Sequence, residues 1–321
     1  MSGQNKTHPH LAGEQILTLV RQAFADADLV SAQLYAGVHA NLNYAVTLSN
    51  PPMDVAIKVY LDPTDQKPWK EVYLLRRLTS ETGVPVPRVL HFDDSNAHLA
   101  FPWMLCTRLP GQPLSTILGS MDTWEQEAIG YEMGRYLGHI HQIPLDAFGE
   151  FFDPALPRYP NEREFVFAQI RQLTGECTAN KLLSEAQASA IRQAFEQANV
   201  FDRQRACLIH GNFVPPKIIV ERGKSDYHIS GLVGFEHALA ASPEQDESQL
   251  FNWSFQGKPT LEKGFLDGYI EASELGAQFW PRIHFYRIYA YLQRILDTYR
   301  KNDPSCQAVI EQLVAYPLQP G

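Results

Sequence analysis

Residues 208–236 read LIHGNFVPPKIIVERGKSDYHISGLVGFE. Three apolar runs in and around this stretch, 206–209, 218–220 and 228–233, have the length and composition of short strands. They frame two polar clusters. The first is His210-Gly211-Asn212, followed after four residues by Lys217; the second, seventeen residues beyond Lys217, is Gly234-Phe235-Glu236. The pattern predicts a small hairpin with a polar loop on either side of it.

Outward from this hairpin the periodicity is helical. Residues 124–141 set Ile129, Met133, Leu137 and Ile140 on one face, and further helical patterns cover 162–173, 184–197, 261–274 and 281–299. The last is apolar on most sides, which predicts a buried helix. Upstream of Leu109-Pro110-Gly111 the pattern changes. A helix from Glu14, with Ile16, Leu19, Val20, Ala23 and Phe24 at helical spacing, precedes strand-like runs over 33–48 and 55–61, which Ser49-Asn50-Pro51-Pro52 separates. A helical pattern over 69–79 stops before Gly83-Val84-Pro85-Val86-Pro87, which cannot continue a helix. Two more strand-like runs, 88–92 and 100–108, follow. The expected fold class is α+β. It has a loose tail over 1–12, a small antiparallel β-sheet lobe with one helix over 13–108, and a larger, mainly helical lobe over 109–321.

Bulk properties exclude several classes. A net charge of −9 leaves no basic footprint for nucleic acid. Beyond residue 108 the chain carries 18 basic and 26 acidic residues, which suits a cationic small-molecule ligand, although solubility accounts for the same excess. Cys106, Cys177, Cys207 and Cys306 are scattered, as expected of reduced thiols in a cytoplasmic protein. The polar start, MSGQNKTHPH, lacks the apolar core of a signal peptide. No apolar run approaches the roughly 18 residues needed to span a bilayer, so no membrane association is expected. A protein partner is left open.

Over nearly its whole length the chain resembles kinases of the aminoglycoside phosphotransferase and choline kinase type. In that family the first cluster is His-Gly-Asp-x-x-x-x-Asn and the second is Asp-aromatic-Glu. The resemblance implies a protein-kinase-like, two-lobed fold that binds ATP or another nucleotide. It places Gly37 and Asn41 in a phosphate-covering loop, where a glycine lets backbone N–H groups approach phosphate oxygens. Alternation along Val55-Ala56-Ile57-Lys58 turns Lys58 to the face opposite Ile57. In the family such a lysine meets the α- and β-phosphates and pairs with a helix glutamate, here Glu71. Backbone groups near residues 104–107, those of Met104 and Cys106 among them, would meet the adenine. Without the family, Gly37 reads as a hairpin turn, and Lys58 and Glu71 as solvated charges. His210 is expected to brace the loop. Asp246, at the end of a Gly-Asp-Pro-x-x-Asp-like stretch, either caps the following helix or ties the loop down. Trp253, Phe255, Phe279, Trp280, Tyr286 and Tyr289 either line an acceptor pocket or pack the core.

The departures from the family carry the functional reading. Phosphoryl transfer needs a carboxylate that orients the acceptor hydroxyl, and a divalent cation held by oxygen ligands. Asn212 stands at the base position and takes up no proton at neutral pH; loss of a general base costs about 10²–10⁴ in rate. Lys217 and Gly234 stand at the metal-ligand positions. An ammonium offers no lone pair, and about 4 Å from Mg²⁺ it would repel the ion by roughly 8 kcal/mol at an effective dielectric of 20. No metal is expected there. The leading expectation is therefore a pseudokinase that binds a nucleotide or other small ligand and transfers phosphate poorly or not at all. Lys217 would then either neutralise phosphate itself or be a solvent-facing lysine. One alternative is an active small-molecule kinase with relocated ligands such as Glu236, Asp246 or His210. Another is a scaffold without a nucleotide site, in which Lys58 and Glu71 would not meet.

Overall fold

The computed structural model describes residues 10–35, 41–62, 66–224 and 226–319. The chain divides into two compact units, one of Met1–Glu81 with Val86–Leu109, the other of Thr82–Pro85 with Pro110–Gly321.

Among the described residues, the first unit is a five-stranded antiparallel sheet, in the order β1-β2-β3-β5-β4, with two helices. The strands are β1 (Asp28–Leu34), β2 (Asn41–Asn50), β3 (Pro52–Tyr60), β4 (Val89–Asp93) and β5 (Trp103–Thr107); the helices are α1 (Gly13–Val20) and α2 (Lys67–Glu81). Strict alternation builds the core. Leu42, Tyr44, Val46 and Leu48 of β2 and Val55, Ile57 and Val59 of β3 are buried together with Ile16, Leu19 and Val20 of α1. The expected single run over 33–48 is instead parts of two strands, because β1 is a separate edge strand that begins at Asp28. Its sequence, DLVSAQL, is largely exposed and lacks the period-two signal by which a half-buried strand is read. The intervening residues 36–40, Gly37 among them, lie outside the described residues.

In the second unit two long helices, Thr123–His141 and Pro259–Ala272, pack backbone to backbone. Asp122 and Glu125 form a reciprocal cap at the first helix's start. The side of this helix that carries Gly130, Gly134 and Gly138 meets Leu261, Phe265, Tyr269 and Ala272 of its partner, while Gly264 and Gly268 meet Glu127 and Tyr131 in return. A Cβ at Gly134 would stand 2.0 Å from the Phe265 carbonyl oxygen. The helix Phe279–Arg300 buries 13 of its 22 residues at the centre of the main core, against the helices Glu162–Ala179 and Glu185–Gln197.

The strand Ala206–Ile209 lies between Pro144–Leu145 and Leu239–Ala241, and Ile218–Arg222 lies between Gln112–Pro113 and Tyr227–Leu232. Both flank the loops of the opening motif. The short helix Glu244–Gln249 has no apolar periodicity to announce it, yet its first five residues are buried. Arg203 and Arg282 lie 2.7 and 3.7 Å from the Glu244 carboxylate, charge partners that let a polar segment leave water. No helix among the described residues is long and apolar enough to cross a membrane.

Candidate active site

In the first unit, the alternation that buries Ile57 and Val59 turns Lys58 to the other face of β3. Its ammonium lies 2.7 Å from the Glu71 carboxylate of α2, which also accepts a 2.8 Å hydrogen bond from the Tyr60 hydroxyl. Glu71 is buried and the Lys58 side chain nearly so, at 13% exposure. A charge pair this far from water is held by position as well as by attraction, unlike an exposed strand lysine. Asn41 opens β2 opposite Tyr60. Met104 and Cys106 lie in β5, which pairs with β3 on one side and β4 on the other. In that register Met104 stands beside Lys58 and Cys106 beside Ala56. The strand ends at Thr107, the last residue of the stretch expected to meet an adenine. Burial pushes the Cys106 thiol up to about 12, so it stays a neutral packing residue.

In the second unit, the loop after Ala206–Ile209 is held from within. The carboxylate of Asp246 accepts backbone N–H bonds from His210 at 2.7 Å and Gly211 at 2.8 Å, and its Oδ2 lies 3.3 Å from His141 Nε2. Of the two roles open to Asp246, the one it performs is tying down the loop; the helix it sits in has no side-chain cap. His141, at the end of its helix, is fixed by the Tyr269 hydroxyl at 2.8 Å from Nδ1. His210 is fully buried, with Nε2 at 3.2 Å from the Val233 carbonyl and Nδ1 placed to accept from the Asn212 N–H at 3.3 Å. Burial lowers its pKa, and the neutral ring carrying a proton on Nε2 satisfies both bonds. Gly211 has φ +76°, and a Cβ there would meet the His237 carbonyl oxygen at 2.1 Å, so the turn requires glycine.

Hairpin register brings the distant clusters together. Ile218 pairs with Leu232, and the Val233 N–H donates to the Lys217 carbonyl at 3.0 Å, which sets Lys217 beside Gly234. Gly234 has φ +96°, and a Cβ there would lie 3.0 Å from Lys217 Cδ, 3.1 Å from Cε and 3.2 Å from Nζ. The lysine side chain thus fills the space that a side chain at 234 would need. Its ammonium is 3.9 Å from Glu236 Oε1, a loose ion pair. A divalent cation held between positions 217 and 234 requires oxygen donors, and this pair presents an ammonium and bare backbone. These residues do not fit the metal. Among the described residues, no cluster of three or more His, Cys, Asp or Glu side chains is arranged as a metal site.

Asn212 and Gly211 reach the wall of a cavity of about 890 Å³ inside the second unit. Of the aromatic residues named from sequence, Trp253 lines it. Phe255, Phe279, Tyr286 and Tyr289 are core residues, and Trp280 is exposed. A widened turn, in which the Phe255 N–H donates to the Leu250 carbonyl at 2.9 Å, carries Trp253 and Ser254 to this wall.

Glu247 was not legible as a special residue. It is fully buried, and neither carboxylate oxygen has a hydrogen-bond partner. Burial, reinforced by the neighbouring Glu244 and Asp246, pushes its carboxyl well above the ordinary range, although the Arg203 charge pulls the other way. The folded protein therefore keeps a proton that the unfolded chain releases near pH 4.5. This contribution is fully present below that pH and is lost as pH rises toward the folded value. Glu247→Gln is expected to raise stability at pH 8 by about 1–3 kcal/mol and to leave it unchanged at pH 4, as read from unfolding curves at the two pH values. An equal effect at both would show that Glu247 is ionised in the fold.

The phosphotransferase enzyme family model (APH) matches residues 31–286. No curated protein sequence matches. Among solved structures, a putative aminoglycoside phosphotransferase from Ralstonia eutropha JMP134 superposes with a TM-score of 0.67 at 14% identity, covering 96% of this chain and 98% of that one. ADP-bound aminoglycoside phosphotransferase APH(2'')-Ib gives 0.65 at 16%, over 96% and 98%. A thermostable mutant of APH(4)-Ia, in ternary complex with ADP and hygromycin B, gives 0.66 at 14%, over 92% and 97%. At such identities the structural likeness speaks for the fold alone.

Proposed function

The chain belongs to the phosphotransferase enzyme family, and from that premise we propose that it is a pseudokinase: a protein that binds a nucleotide or related anion and transfers phosphate slowly or not at all. The observation that carries this reading is the Lys217 side chain lying over Gly234. A tethered ammonium there supplies one positive charge where the family uses a metal ion. It neutralises phosphate but cannot bridge two phosphate oxygens and a carboxylate. Asn212 can hydrogen-bond an acceptor hydroxyl without accepting its proton. In the first unit, the Lys58–Glu71 pair has the form expected of a phosphate-binding lysine held in place, which counts against a scaffold in which the two never meet. The candidate relocated ligands already have partners: Asp246 the His210 and Gly211 amides, His210 the Val233 carbonyl, and Glu236 the Lys217 ammonium. That weighs against the active-kinase alternative. Some of the similar structures hold ADP, which supports a nucleotide as the ligand to try first.

A thermal-shift titration with ATP, with and without Mg²⁺, tests the reading. The expected result is stabilisation of equal size in both, rising with the logarithm of ATP concentration above its Kd. Lys217→Met should reduce it at least tenfold in apparent affinity. Stabilisation that requires Mg²⁺ would instead establish the active-kinase alternative, and no shift in either condition would leave the scaffold.

A further inference from the structure

The cavity beside Asn212 carries a charge opposite to that of the unit containing it. Lys258, Arg294 and Lys301 line it, and Asp297 is the one carboxylate among its described lining residues. Asp297 is already engaged, with Oδ1 2.8 Å from the Lys301 ammonium and Oδ2 3.9 Å from Arg294. The acids that make the second unit negative stand elsewhere; Glu162, Glu244, Asp246 and Glu247 are buried inside it. Net charge summed over a unit therefore misstates the field that a ligand meets, which is set by the nearest side chains. At the mouth of the loop Asn212 adds no negative charge.

We propose that this cavity takes a small anionic, hydroxyl-bearing molecule of the sugar phosphate or hydroxy acid class, and not a polycationic acceptor. The inference deepens the proposed function and rests on it for one point, that the Asn212 loop faces the ligand. The anionic group meets Arg294 and Lys301, both on the helix end Phe279–Arg300 or just beyond it. A sugar or carbon face lies against Trp253, whose ring is oriented by an edge-on contact with Tyr291 at 5.7 Å. A hydroxyl is directed to the Asn212 amide. A polycation would face an excess of two positive charges with no unengaged carboxylate on the wall. The volume, about 890 Å³, accommodates a molecule of mono- or disaccharide size.

The test uses the full chain and charge-graded probes: glucose 6-phosphate and 6-phosphogluconate as anions, glucose as the neutral sugar and kanamycin as the polycation. Binding is followed by calorimetry, with an ATP thermal-shift titration in parallel. At least one of the anions is expected to bind ten times or more tightly than glucose and kanamycin. Arg294→Gln with Lys301→Gln should abolish that preference while the ATP response stays. Both side chains are about half exposed or more, so the variant should fold. Tighter binding of kanamycin, no binding by either anion, or an anion preference that survives in the variant would each overturn the inference. So would an ATP response lost together with anion binding. Anion binding without any ATP response would uphold the cavity's charge preference and overturn the nucleotide reading alone.

Discussion

Alanine in place of Gly134 is expected to destabilise the protein by about 3 kcal/mol, although alanine is the better helix former. The added methyl would stand 2.0 Å from the Phe265 carbonyl oxygen and 2.6 Å from the Tyr269 nitrogen, both backbone atoms that no rotamer change can move aside. The helices Thr123–His141 and Pro259–Ala272 would have to separate along the contact, and separation loosens the packing around Gly130, Gly264 and Gly268 as well. Gly138→Ala should cost less, because its nearest neighbour is the Ala272 side chain at 2.8 Å. Gly175→Ala is the control. It lies inside the helix Glu162–Ala179 with nothing within 4 Å, and should gain about 1 kcal/mol by propensity alone. Denaturant unfolding of the three variants gives the order; if Gly134→Ala and Gly175→Ala moved the same way, the close helix contact would be wrong.

The second large effect is expected when the family's residues are restored together, as Asn212→Asp, Lys217→Asn and Gly234→Asp. From a background near zero, Mg²⁺-dependent ATP hydrolysis should rise by about 10²–10⁴, the usual contribution of a general base, with the recovered metal site adding to it. Water serves as acceptor in this assay, so no acceptor need be known. The steps should be strongly non-additive. Gly234→Asp alone places a Cβ within 3.2 Å of the Lys217 ammonium and should destabilise the protein without activating it. Lys217→Asn clears that space, and Asp then tolerates the positive φ of +96° at position 234 better than most residues would. A triple variant that folds and binds ATP but shows no metal-dependent turnover would mean that these three positions are not where the chemistry was lost.

The fold was legible wherever a periodic signal existed. The alternation in β3 marked Lys58's face, and the all-round apolar helix Phe279–Arg300 proved to be the core element expected. Elements without such a signal were missed. The edge strand β1 has its faces mostly in solvent, and the helix Glu244–Gln249 is polar yet buried, held by Arg203 and Arg282. The glycines at 130, 134 and 138 recur every fourth residue in the sequence, but a small residue announces nothing until a partner backbone is found against it.

Family membership, an amide in place of a carboxylate at Asn212, and the absence of a side-chain oxygen at Lys217 and Gly234 follow from residue identity at fixed spacing. These are matters of which atoms a side chain carries, and no fold can alter them. Tertiary structure alone decided that Lys217 occupies the room left by Gly234, that Asp246 holds the loop instead of capping a helix, and that an acidic unit contains a basic cavity. Each of these depends on distance in space between residues far apart in the chain, since contact energies act only at touching distance and Coulomb energies fall as the inverse of separation.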